Sequence, residues 1–76
     1  MTWLLNHQRA FADDFLDSYV CWREACEDVR SAYQQWMNSK RRQRGLAFAA
    51  YRAALDREEY ASRVYSERAL KIRGAR

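Results

Sequence analysis

A chain of 76 residues holding no proline, two glycines, 49% apolar and 32% charged residues is long enough for one small core and no more. Two cysteines are too few for a disulfide framework, and the apolar fraction is too high for a disordered tail. No apolar run approaches the ~20 residues of a bilayer span and the start lacks the marks of a signal peptide, so a soluble, cytoplasmic protein with reduced thiols is expected.

The first predicted element runs over about residues 5–42. Leu4, Phe11, Phe15, Tyr19, Trp22, Cys26, Val29, Tyr33 and Trp36 recur at steps of three, four and seven, which draws one stripe along a helix. Asp13, Asp17, Glu24, Glu27, Ser31 and Gln35 fall opposite. Thr2 and Asn6 are both suitable N-caps. Acids near the start and bases near the end suit the helix dipole.

Lys40, Arg41, Arg42 and Arg44 form a basic joint, and Gly45 is expected to supply the left-handed residue that closes the first helix, within a turn at about 43–46. The net charge of +4 divides into −3 over residues 1–39, +4 over residues 40–45 and +3 over residues 46–76. The joint is read first as solvation of the turn and second as a contact for phosphates or an acidic partner.

The second predicted helix spans about residues 46–73 and is rich in alanine. Ala47, Ala50, Tyr51, Ala54, Ala61, Tyr65, Ala69 and Ile72 share a broad face, while Arg52, Asp56, Glu59, Arg63 and Ser66 lie opposite. Alanine lets helix axes approach closely and is the best helix former. Glu58 and Arg68 interrupt the apolar face, and either could fix the register between helices.

The fold class expected is all-α: an antiparallel two-helix hairpin, one domain over residues 1–76, favoured over a single unbroken helix by repulsion within the basic joint. With the turn near residue 43, facing residues sum to about 86, so Tyr51 meets Trp36, Ala61 meets Ala25 and Cys26, and Ile72 meets Phe15. Arg68 comes near Ser18, within reach of Asp14 or Asp17. Eleven aromatics exceed what one partner helix can cover. The core or dimer interface is therefore assigned to Phe11, Phe15, Tyr19, Trp22, Val29, Tyr33, Trp36, Tyr51, Tyr65 and Ile72, with two hairpins pairing into a four-helix bundle.

Catalytic and metal-binding residues and cofactors are all read as none. The single histidine, His7, stands with Asp14, Cys21 and Asp28 at seven-residue steps, too widely spaced for consecutive members to share an ion. Cys21 and Cys26 are five apart and match neither redox nor zinc spacing. The function expected is a non-enzymatic protein-interaction module, acting as a homodimer with a protein partner and no membrane, and Leu16, Val20 and Leu70 are candidate protein contacts. The alternative is a nucleic-acid-binding bundle that uses Lys40, Arg41, Arg42, Arg44 and the arginines of the second helix.

Overall fold

The structure, a computed structural model, describes residues 2–74, with side chains placed from Ala12 onward. Two helices, α1 (Thr2–Asn38) and α2 (Arg44–Gly74), pack against each other as a hairpin, and no strand occurs among the described residues. The molecule is a rod, with Cα extents of 62 × 16 × 12 Å. The stripe that motivated the first helix faces α2 through Phe15, Trp22, Val29 and Trp36, each half-buried, and Ser18 and Ala25 beside it are buried. Phe11, Leu4 and His7 have side chains outside the described residues.

The reversal differs from the one expected at Gly45. α1 stops at Asn38, four residues early, because Ser39 caps it twice: its backbone N–H and its hydroxyl both donate to the Trp36 carbonyl, at 3.2 and 2.7 Å. The Gln43 N–H donates to the Lys40 carbonyl at 2.8 Å, closing a four-residue turn, and the Gln43 carbonyl accepts the first bond of α2 from Ala47 at 2.9 Å. No glycine or other described residue has positive φ. The turn therefore requires no glycine, and Gly45 lies in the first turn of α2. Lys40, Arg41 and Arg42 occupy the turn itself, so no base sits in the last turn of α1 and the expected dipole pairing is not made there.

A Cβ built on Gly45 meets nothing within 4 Å. Gly45→Ala is therefore expected to stabilise the hairpin by about 0.5–1 kcal/mol, through helix propensity and a less flexible unfolded chain. Urea unfolding followed by circular dichroism measures it. A destabilising result would mean that the glycine serves the turn.

Small residues line the closest part of the seam. Ala54 is 1% exposed, Ser18 7% and Ala25 9%, and no large side chain among the described residues is fully buried. The Ser18 hydroxyl donates to the Phe15 carbonyl at 2.7 Å, which satisfies a polar group that the partner helix covers.

Aromatic rings are stacked along the seam. Near the turn Trp36 stacks on Tyr51 with centroids 5.4 Å apart and touches Phe48 at 4.9 Å, while Tyr33 leans on Tyr51 at 5.6 Å. Towards the open end Trp22 stacks on Tyr65 at 5.2 Å, and Phe15 and Tyr19 contact the same ring at 5.3 and 5.7 Å. Each such pair adds about 0.5–1.5 kcal/mol beyond its area burial. Tyr51 thus meets Trp36, as the facing rule requires.

Candidate functional surfaces

Antiparallel helices give the hairpin two broad sides, and the sequence periodicity divides between them. Residues just past the seam on one side are Tyr19, Cys26, Tyr33 and Met37 of α1 with Phe48, Tyr51 and Leu55 of α2, tied together by the Tyr33–Tyr51 and Trp36–Phe48 contacts. Of these, Tyr19, Tyr33, Met37, Phe48 and Leu55 are all exposed. Tyr19, Tyr33 and Phe48 are each between 41% and 45% exposed. By helical position Arg23 and Arg30 flank the outer edge of α1, and Arg52 and Glu59 that of α2. Apolar in the middle and charged at the rim, this side has the anatomy of an interface.

The opposite side carries more charge, with Tyr60 and Leu46 exposed among the charged and amide side chains. One shallow groove is lined by Asp14, Asp17, Ser18, Cys21, Tyr60 and Arg68 among others, and a second near the turn by Gln34, Gln35, Asn38, Gln43 and Leu46. Arg68 approaches Asp14 at 3.9 Å, the pairing expected from the register. Both groups are more than a third exposed, so the pair contributes only about 0–1 kcal/mol.

Glu58, read from the sequence as an interruption, has a defined partner. The Trp22 indole Nε1–H donates to Glu58 Oε1 at 3.0 Å across the seam. The carboxylate is half-buried, and the bond ties one position of α1 to one of α2. Periodicity could flag Glu58 as out of place, but an indole donor opposite it is visible only once the helices are paired.

The remaining candidates lie apart from one another. Leu16 and Val20, one turn apart, are 57% and 50% exposed, and Val20 sits among Arg23, Glu24 and Glu27 on the outer side of α1. Leu70 is exposed on α2. These three do not combine into one patch. Phe15, Trp22, Val29, Trp36, Tyr51, Tyr65 and Ile72 are half-buried, whereas Tyr19 and Tyr33 are exposed. Cys26 is half-buried and Cys21 exposed, both as free thiols. Among the described residues no group of three His, Cys, Asp or Glu side chains is placed to hold a metal ion, and no helix is long and apolar enough to cross a membrane.

Charge is distributed along the rod. No acidic residue occurs between Asp28 and Asp56, whereas Arg30, Lys40, Arg41, Arg42, Arg44 and Arg52 do. Folding gathers that stretch into the turn-proximal end, giving a basic tip. All ten acids and the other eight of the fourteen bases lie outside that stretch of the sequence. The exposed area is also large: 6620 Å², against roughly 4,900 Å² for a compact monomer of 9.1 kDa. The excess is about twice the ~800 Å² that each partner of a standard protein–protein interface buries. Compared with protein-family models, curated proteins and solved structures, the chain matches none.

Proposed function

We propose that this protein is a small non-enzymatic interaction module that works as a helical homodimer, in the role of a regulator, adaptor or inhibitor of another protein. The observation that carries the reading is the row of exposed aromatic and aliphatic side chains on one side of a rod in which no large side chain among the described residues is fully buried. An apolar surface of this kind on a small soluble fold marks a place where another surface packs. A two-helix hairpin has only one seam, and pairing two of them into a four-helix bundle supplies a second.

Light scattering at micromolar concentration is expected to return twice the 9.1 kDa chain mass. The thermal midpoint is expected to rise by a few degrees for each tenfold increase in protein, because the folded state is then linked to association. A mass of one chain with a cooperative, concentration-independent transition would overturn the dimer.

The acid-free basic tip supports a second reading, a nucleic-acid-binding bundle. It stands or falls on whether affinity for a DNA or RNA duplex drops with salt, and on whether that slope flattens when Lys40, Arg41, Arg42 and Arg44 are replaced by glutamine.

A further inference from the structure

The dimer reading leaves open which surface pairs and in which direction. Resting on that reading, we propose that the occupant of the aromatic side is a second copy of this chain, docked face to face with the turn of each hairpin over the open end of the other. Three observations converge on it.

The first is extent. The rod is 62 Å long and 16 Å across, so one side offers more than the ~800 Å² per partner of a standard stable interface. The second is composition. From Tyr19 to Met37 on α1 and from Phe48 to Leu55 on α2, the inner positions of this side are apolar, and the neighbouring Glu58 carboxylate already accepts from Trp22. The opposite side instead carries Asp14, Asp17, Glu24, Asp28, Asp56, Arg57 and Arg68 along its grooves, charges that docking would desolvate.

The third is charge, and it sets the direction. Each turn-proximal end holds six bases and no acid. Stacking two such ends side by side would bring twelve positive charges within a few Debye lengths of about 8 Å. Reversing one hairpin removes that repulsion and sets each basic tip beside a part of the partner in which Asp13, Asp14, Asp17 and Glu67 are interspersed with Arg63, Arg68, Lys71 and Arg73, where charges of both signs balance closely. Face-to-face stacking with the turns apart is met by a two-fold axis running across both helices, which lays α1 antiparallel on α1 of the second copy. The exposed apolar stretch of α1 runs from Tyr19 to Met37, so its full overlap puts residue 28 near the axis and Tyr19 opposite the partner's Met37.

The test is a spin-label distance measurement on the full chain carrying Asn38→Cys, with Cys21→Ser and Cys26→Ala to remove the native thiols. Asn38 is exposed at the end of α1, and its replacement leaves the basic tip intact. Ten residues on each side of the axis at 1.5 Å per residue give an expected label separation of about 30 Å. Alongside it, Tyr33→Glu on the aromatic side is expected to return a single-chain mass, and Tyr60→Glu on the opposite side to leave the dimer in place. A separation below roughly 20 Å would mean that the turns lie together and would overturn the direction. A dimer that survives Tyr33→Glu but is lost with Tyr60→Glu would overturn the choice of face. A single-chain mass for the unsubstituted protein would instead remove the dimer reading itself, and this arrangement with it.

Discussion

Replacing Ala54 by aspartate is expected to unfold the hairpin at room temperature, at a cost of about 3–5 kcal/mol. Ala54 is the most buried residue described, at 1% exposure, and it sits where only a methyl group separates the two helices. An aspartate side chain is too short to reach water past its own helix, in contrast to the long stems of lysine and arginine. Its carboxylate would stand in the seam one turn from Glu58, a like charge at i,i+4 spacing. Loss of helix propensity adds a further ~0.7 kcal/mol at most. A small fold has only a few kcal/mol to lose.

The neighbouring alanine separates burial from propensity. Ala53 is exposed, so Ala53→Asp bears the same propensity cost without the desolvation, and it also stands four residues before Arg57, a favourable ion-pair spacing. Ala53→Asp is expected to change stability by less than about 1 kcal/mol. Ellipticity at 222 nm against urea measures both. Equal losses for the two variants would show that the helices do not close on each other at Ala54.

That alanine was legible in the sequence as a member of an apolar face, and so was most of what surrounds it. The steps of three and four through Phe15, Trp22, Val29 and Trp36 are a direct readout of helical geometry, and a chain with two such stripes and a charged joint has few ways to bury them. The pairing of Trp36 with Tyr51 and of Arg68 with Asp14 follows from the turn position by counting. The details of the reversal do not follow in this way. Gly45 looked like the stop signal because glycine tolerates positive φ, but Ser39 and Gln43 supply the hydrogen bonds with every φ negative. Such bonds depend on local geometry that composition does not encode.

Two further features needed the third dimension. Tyr19 and Tyr33 share the stripe of Trp22 and Trp36, yet the former pair is exposed and the latter half-buried, because a neighbouring helix covers a narrower arc than the stripe spans. The basic tip was hidden for a related reason. Summing charge over successive stretches of chain separates Arg30, the turn and Arg52, whereas folding places them at one end of the rod. The dimer direction proposed above depends on this longitudinal polarity.

The two seam tryptophans offer the second large effect. Truncating a buried tryptophan to alanine costs about 3–5 kcal/mol, and the half-burial of Trp22 and Trp36 lowers the expectation to about 2–3 kcal/mol for each. Trp36→Ala removes ring contacts with Tyr33, Phe48 and Tyr51, and Trp22→Ala removes those with Tyr19 and Tyr65 together with the bond to Glu58. Similar losses at equilibrium should divide differently between the rates. Trp36 meets Phe48 across roughly a dozen residues, whereas Trp22 and Glu58 are 36 residues apart in sequence. Loop closure over the longer span costs about 1 kcal/mol more, so the ring cluster beside the turn forms first and the outer cluster zips on afterwards. Trp36→Ala is therefore expected mainly to slow folding, and Trp22→Ala mainly to speed unfolding. Stopped-flow ellipticity, read from the concentration-independent phase, distinguishes them. If Trp22→Ala slowed folding as much as Trp36→Ala, both clusters would already be assembled at the barrier, and the hairpin would close as one unit instead of from its turn.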